Sequence, residues 1–302
     1  YEMQRSLVGS EMCIRDRIYT THAGPELGNA FADVISGKYS PAGRLAQTWY
    51  KSEYELAPIE CYDIIENDMT YLYYRGKPLY PFGYGLSYAR FEYSDFDVKE
   101  NGDVISVSLD VTNVSETDSD EVVQIYFRME NPSVKRPLRQ LVAFARERIE
   151  GGRTRHFEFD IKKSELRFYD VSRERFAVEQ GRYTFMAGAS SEDIRLTKTI
   201  DVSGEIIPPR ELCKGVKAKN YDGKCGAKMK YSKKLEQHYM LGGGLIYNNC
   251  VLGEADSIEI VCGSRVNTGK ITVRYGGETL CEAEVKPTVC LLYTSPSPRD
   301  YA

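Results

Sequence analysis

The feature that most constrains this chain is a stretch, between residues 91 and 202, in which apolar and polar side chains alternate. Ile105, Val107, Leu109 and Val111 are separated by single polar residues, as in a strand with one buried face. Similar runs follow at 121–128, 138–146, 157–161, 182–187 and 194–202, separated by turn-rich pieces. Short, evenly spaced strands of this kind predict an antiparallel β-sandwich of the immunoglobulin-like kind over residues 91–203.

The segment before this sandwich begins with a predicted helix over residues 24–37. Pro25 suits the first turn of such a helix, and Gly37 suits its C-terminal cap. The helical spacing is carried by five apolar residues: Leu27, Ala30, Phe31, Val34 and Ile35.

Residues 51–88 have no regular period but are rich in aromatic residues. The rings are interleaved with glycine and proline, which predicts a connector laid over the surface of another domain. The aromatic residues of its second half are Tyr71, Tyr73, Tyr74, Tyr80, Phe82, Tyr84 and Tyr88.

The composition excludes several classes of function. The 40 Lys+Arg and 44 Asp+Glu give a net charge of −4, so no global charge favours nucleic acid. No apolar run approaches the roughly 20 residues that span a bilayer, so no membrane partner is predicted. The three histidines, His22, His156 and His238, leave little room for a metal site or a catalytic triad. No metal and no cofactor is predicted.

The two ends of the chain, residues 1–16 and 290–302, differ from everything between them. Neither shows helical or strand periodicity, and both resemble translated sequencing-adapter DNA. The alternative is a pair of natural disordered termini. The first interpretation removes Cys13 and Cys290 from any argument about disulfides, and it predicts that the native start of the protein is missing.

A second β-rich module is predicted over residues 213–289, after a Pro-containing linker at 204–212. Its strands are expected at 245–252, 257–262, 270–275 and 281–285, and the sequence ends before a sandwich of this spacing closes. The module is therefore predicted to be an incomplete β-sandwich.

Cysteines are concentrated in this module. No Cys-x-x-Cys pair occurs, so a structural zinc site is disfavoured, and both disulfides and buried thiols remain open. The cysteines concerned are Cys213, Cys225, Cys250, Cys262 and Cys281; one more, Cys61, lies in the connector.

Four segments carry a resemblance to a known family. Residues 28–45 and 80–88 resemble the end of the second catalytic-unit domain of glycoside hydrolase family 3. Residues 120–126 and 181–191 resemble the fibronectin type III-like domain of the same family. The resemblance implies that residues 17–90 are the remnant of an α/β sandwich domain with its connector, and that residues 91–203 are the fibronectin-like domain.

Features around Thr48-Trp49-Tyr50 and residues 69–79 look slightly more like β-xylosidases and arabinofuranosidases than β-glucosidases. The C-terminal module is more loosely similar to a family 6 carbohydrate-binding module. Lysines stand where that module has calcium-binding carboxylates, which Ca²⁺ would require. Four tyrosines of the module could stack on sugar rings, although packing in the core is the favoured interpretation: Tyr221, Tyr231, Tyr239 and Tyr247.

The family resemblance implies a retaining exo-glycosidase acting on plant-derived oligosaccharides, with one carboxylate as nucleophile and another as acid/base. In the family both lie ahead of the segment that resembles this chain, in a catalytic barrel domain and the first part of the second domain. The resemblance therefore implies no catalytic residue here, and an inactive accessory fragment whose missing partner is the N-terminal barrel. It leaves the cellular compartment open.

Other readings stay open at this stage. A stand-alone, non-catalytic polysaccharide-binding or adhesion protein built of sandwiches is the alternative function. The acidic stretch 117–121 could be a cation site, but a polar turn between strands is the favoured interpretation. His22 and Glu26, one helical turn apart, are interpreted as a solvated helix face or a helix cap, and Asp33 is expected to pair locally. The eight lysines within residues 213–235 favour a solvated surface over a polyanion site.

Overall fold

The computed structural model describes residues 18–20, 24–59, 61–226, 228–232, 237–254, 257, 259–260 and 268–286. The central part of the chain is mainly β, as predicted. Its strands are β1 (Phe91–Asn101), β2 (Val104–Asn113), β3 (Ser119–Met129), β4 (Gln140–Ile149), β5 (Thr154–Lys162), β6 (Phe168–Asp170), β7 (Arg175–Ala177), β8 (Gly181–Gly188) and β9 (Ile194–Val202).

Seven of these strands form a two-sheet antiparallel sandwich, which confirms the predicted fold class, and β6 and β7 pair with each other as a separate antiparallel hairpin. One sheet has the order β1-β2-β5 and the other has the order β4-β3-β8-β9. Ile105, Val107, Leu109 and Val111 of β2 are buried and the residues between them are not, because one face of β2 meets the core. The largest fully buried side chains of the shared core are Tyr183, Phe185, Ile105, Leu109, Ile125 and Leu166.

An ion-pair cluster joins the edge strands β1 and β9 of the two sheets. The Asp97 carboxylate accepts from Lys198 on β9 and lies 2.6 Å from Lys99 Nζ. Lys198 and then Lys99 hold the pKa of Asp97 at about 2, below its ordinary value of 3.8.

We therefore expect Asp97 to contribute to acid unfolding. A depressed carboxylate pKa stabilises the fold fully above the unfolded value, and this stabilisation is lost as the pH falls from about 3.8 to about 2. The Asp97→Asn variant should show a weaker dependence of unfolding free energy on pH in that window, measured by urea unfolding at a series of pH values. An unchanged pH dependence would contradict this assignment.

The segment before the sandwich begins with helix α1 (Leu27–Ile35), within the predicted 24–37. Gly37 has φ of +76°, and its N–H donates to Val34 O over 3.1 Å, so it ends the helix as predicted. No residue of this fully described helix is buried, although its apolar residues share one face.

The connector is a long loop closed at its base. Trp49 and Tyr80 form an antiparallel bridge in which Trp49 N donates to Tyr80 O over 2.9 Å. Within the loop lies a short helix, α2 (Thr70–Tyr73), that the sequence pattern did not predict. The loop tip exposes large side chains, with Tyr54, Ile59 and Tyr62 each almost fully exposed.

The remaining strands are short and follow the sandwich along the chain. They are β10 (Arg210–Glu211), β11 (Gly223–Cys225), β12 (Lys228–Ser232), β13 (Gln237–Leu241), β14 (Gly244–Ile246), β15 (Cys250–Val251), β16 (Gly269–Tyr275) and β17 (Glu278–Val285). β11 pairs with β14, β12 with β13 and β16 with β17, all antiparallel.

The chain divides into two compact units. The described residues up to Arg210 and those of 214–251 form one, and residues 211–213 with the described residues from Leu252 onward form the other. The strand predicted at 257–262 is absent from its described residues, 257, 259 and 260; Cys262 lies outside the described residues. Cys61, Cys213, Cys225 and Cys281 are free thiols. In the described parts of the chain no helix is long and apolar enough to cross a membrane.

Candidate functional site

The candidate functional site is the docking surface between the segment ahead of the sandwich, residues 24–88, and the sheet β4-β3-β8-β9. The end of the connector, residues 80–88, is called the strap below. It lies against β3 and the loop after β8. Val122, Gln124 and Tyr126 of β3 point away from the core but are buried, because the upstream segment covers this face.

Gln124 is the centre of the hydrogen bonding across this surface. Its Nε2 donates to Gly83 O over 3.1 Å and to Ala189 O over 2.6 Å, and its Oε1 accepts from Tyr126 Oη over 2.5 Å. Ser191 N donates to Phe82 O over 2.9 Å. The buried amide is thereby satisfied on both of its ends, which fixes the position of Gly83 on the sheet.

Aromatic stacking holds the strap at a second point. The rings of Phe82 and Tyr71 are stacked, with centroids 4.1 Å apart and planes at 12°. Tyr71 also meets the ring of Tyr126 edge-on at 6.1 Å, and its hydroxyl accepts from Leu141 N over 3.3 Å. Burial raises the pKa of Tyr71, so it stays a neutral hydroxyl at this contact.

A buried ion pair lies at the third point. Arg44 Nη2 is 2.9 Å from Glu121 Oε2, and the two side chains are 10% and 2% exposed. Tyr93 Oη donates to the other carboxylate oxygen over 2.8 Å, and the Arg195 guanidinium lies 4.6 Å from the centre of the Tyr93 ring. Burial raises the pKa of Glu121, and Arg44 and Tyr93 oppose that rise.

Beside this pair lies a cavity of about 480 Å³ lined by residues of the strap and of the sandwich. Its charged residues are Arg44, Arg90, Arg195, Glu121 and Asp193, and the two carboxylates pair as Arg44–Glu121 and Arg195–Asp193. Because Arg44 precedes the strap and Glu121 belongs to β3, the first of these pairs holds the upstream segment to the sandwich.

Helix α1 is tied to the same surface. Tyr88 Oη of the strap donates to Val34 O over 2.8 Å. Ser40 Oγ accepts from Tyr88 N over 3.0 Å and from Ser119 Oγ of β3 over 2.7 Å. Helix, strap and sandwich are thus bound together around Ser40.

The acidic stretch 117–121 contacts arginines of the same chain. Its carboxylates are used in ion pairs: Asp118 with Arg148, Asp120 with Arg146 and Glu121 with Arg44. Across the described residues no cluster of His, Cys, Asp and Glu side chains could hold a metal ion.

Two smaller expectations can be placed as well. Asp33 pairs locally with Lys38 at 3.0 Å, as predicted. His22 lies outside the described residues, so its proposed relation to Glu26 has no structural counterpart. The residues that matter most here, Arg44, Gln124 and Tyr93, were not singled out by sequence reasoning, because a polar residue in a strand pattern is ordinarily assigned to solvent.

Comparison with known proteins places these segments. Residues 16–88 match the family model described as the glycosyl hydrolase family 3 C-terminal domain, and residues 121–191 match that of the fibronectin type III-like domain. The docking surface therefore lies between the segment that matches the family 3 C-terminal domain and the segment that matches the fibronectin type III-like domain.

Relatives along the sequence are glycosidases. The chain is 34% identical over 200 residues to thermostable beta-glucosidase B of Acetivibrio thermocellus, a match that covers 61% of this chain and 26% of the relative. It is 35% identical over 180 residues to a xylan 1,4-beta-xylosidase of Xylanibacter ruminicola, covering 59% and 20%. The chain thus spans about a quarter of the length of the curated relatives it matches.

Solved structures agree with the fold. The beta-glucosidase of Kluyveromyces marxianus in complex with glucose matches with a TM-score of 0.55 at 32% identity, over 59% of this chain and 23% of that one. Beta-glucosidase 3B of Thermotoga neapolitana in complex with alpha-D-glucose matches with a TM-score of 0.55 at 29% identity, over 61% and 28%.

Proposed function

We propose that this chain is an accessory, non-catalytic part of a family 3 retaining glycosidase that removes β-linked glucose or xylose, or α-linked arabinose, from plant-derived oligosaccharides. The observation that carries the proposal is the docking surface. The fibronectin-like domain holds the end of the family 3 C-terminal domain through Gln124, the Tyr71–Phe82 stack and the buried Arg44–Glu121 pair. Relatives matched over this region are beta-glucosidases and a beta-xylosidase.

The role proposed for the fibronectin-like domain is a brace. A retaining glycosidase needs its two carboxyl groups about 5–5.5 Å apart, so the domains that carry them must be held rigidly. The carboxylates of the docking surface are committed to arginines on the same surface. The nucleophile and the acid/base residue are therefore proposed to lie in a barrel domain and an α/β domain encoded ahead of this chain.

The purified chain should not hydrolyse an aryl β-glucoside or an aryl β-xyloside above the rate of a buffer blank. The comparison is the same chain extended by the residues that its gene encodes upstream, which should release the aryl group from at least one of these substrates. Turnover by the chain alone would overturn the proposal, and so would an upstream reading frame without a barrel domain.

A further inference from the structure

The lysine-rich segment after the sandwich is bound by acidic residues at two separate places in the same compact unit. Lys217 Nζ lies 3.0 Å and 3.1 Å from the two carboxylate oxygens of Glu174, in the turn between β6 and β7. Lys224 Nζ lies 2.5 Å from Glu66 Oε2 and 3.6 Å from Asp63 Oδ2, both in the connector loop. One short stretch of chain thus contacts the sandwich domain and the connector loop at once.

The contact with Glu174 is a cluster of donors on one carboxylate. Besides Lys217, the Asn220 amide donates to it over 3.3 Å, and Lys219 lies 3.4 Å away. Lys217, Asn220 and Lys219 hold the pKa of Glu174 at about 2. Glu174 itself has a φ of +52°, which is uncommon for residues other than Gly, Asn and Asp. This end of the segment is exposed, so each of its pairs contributes little alone.

The contact of Lys224 is better protected. Its side chain is 13% exposed, and the ammonium group also lies 5.9 Å from the centre of the Tyr221 ring. Its hydrogen bond to Glu66 raises the pKa of Lys224, so this group remains charged. Because partly buried pairs are screened less by salt and water than exposed ones, Lys224 is the dominant contact of the two.

The segment is also held in shape from within. Asp222 lies 3.2 Å from Arg210, with both side chains 7% exposed, and it accepts from Asn248 N over 2.6 Å. Asp222 N donates to Ile246 O over 2.8 Å, next to the β11–β14 pairing. Because this internal support does not involve Glu174, Asp63 or Glu66, the backbone of the segment is held in place independently of the ion pairs that its lysines form.

We propose that residues 217–224 form an electrostatic latch that fixes the segment after the fibronectin-like domain against both that domain and the connector loop, and that raised ionic strength opens it. The lysines in the latch are engaged within the molecule, which separates this role from binding of an external polyanion. The latch does not depend on the glycosidase assignment, because every contact in it is made by the chain itself.

The test is hydrogen exchange of the whole chain, followed by mass spectrometry, at about 50 mM and about 1 M NaCl. Charge screening shortens from beyond 10 Å to about 3 Å between such conditions. Exchange in peptides covering residues 214–226 should rise roughly three- to tenfold at high salt, while peptides from β2 and β8 stay unchanged.

Variants separate the latch from general destabilisation. Lys224→Glu should produce the same rise at low salt, because three carboxylates then face one another, and adding Glu66→Lys should restore protection. Lys162→Glu, an equal charge change on an exposed residue of β5, is the matched control and should leave the segment unchanged. Equal protection in the Lys224→Glu variant and the parent, or exchange that does not respond to salt, would overturn the proposal.

Discussion

Replacing Glu121 by alanine should lower the free energy of unfolding by about 3–5 kcal/mol, the cost of leaving a buried charge without its partner. The Arg44 guanidinium is only 10% exposed, its Nε already has no hydrogen-bond partner, and its Nη2 is bound to Glu121. The variant also removes the acceptor of the Tyr93 hydroxyl. Urea unfolding followed by far-ultraviolet circular dichroism measures this loss.

The matched control removes both charges together. A buried ion pair is expensive to desolvate, so replacing both partners by apolar residues of similar size is often close to neutral. The double variant Arg44→Met/Glu121→Leu should therefore cost much less than Glu121→Ala alone. If the cost of the double variant equals the summed costs of Arg44→Met and Glu121→Leu measured singly, the two residues are not coupled, and other contacts hold the docking surface.

The strands of the sandwich could be read from the sequence because their signal is local. In β2 every second residue is buried, so the alternation of Ile105 to Val111 directly records the core face. Strands β6 and β7 and helix α2 were not predicted because they are too short to show a pattern. Each strand has three residues and the helix has four, which is less than two periods of a strand or a helix.

The docking surface was less accessible to sequence reasoning because it depends on a contact between distant parts of the chain. The aromatic density of residues 51–88 indicated a segment lying over another domain. Tyr71 and Phe82 pack in this way beside Tyr126 of the sandwich, whereas Tyr54 and Tyr62 are exposed. The receiving residues did not stand out. Gln124 of β3 is buried because the upstream segment covers the outer face of its sheet, and neither the strand pattern nor its polarity predicts that. Glu121 lies on the inner face of the same strand, where Arg44 and Tyr93 bind its carboxylate.

In the C-terminal segment the sequence pattern indicates the charge without its partners. The eight lysines in residues 213–235 favour a solvated face and Lys217 is 65% exposed, but Lys217 and Lys224 also contact carboxylates far away in the sequence. Composition identifies the charge but not its partner. The predicted likeness to a carbohydrate-binding module stays a prediction, and Tyr247 is engaged within the chain, its hydroxyl donating to Ala218 O over 3.1 Å.

The second large effect is expected from Gly85→Ala in the strap. A Cβ at this position would lie 2.1 Å from Gly43 O, a backbone atom, and 3.0 Å from Arg44 Cδ. Because a carbonyl cannot rotate away as a side chain can, the strap or the segment at 43–44 must move. We expect a loss at or above the upper end of the roughly 1–3 kcal/mol range for overpacking, and a red shift of the emission of Trp49, the single tryptophan, which the bridge to Tyr80 holds at the base of the connector.

Gly28→Ala provides the control, because it makes the same chemical change in a different environment. Gly28 lies in α1, and a Cβ there would meet nothing within 4 Å. Alanine is favoured over glycine inside a helix by up to about 1 kcal/mol, so this variant should unfold at the same or a higher urea concentration. If both variants behave alike, the close approach of the strap to Gly43 does not contribute to stability, and the brace proposed for this surface loses its main structural support.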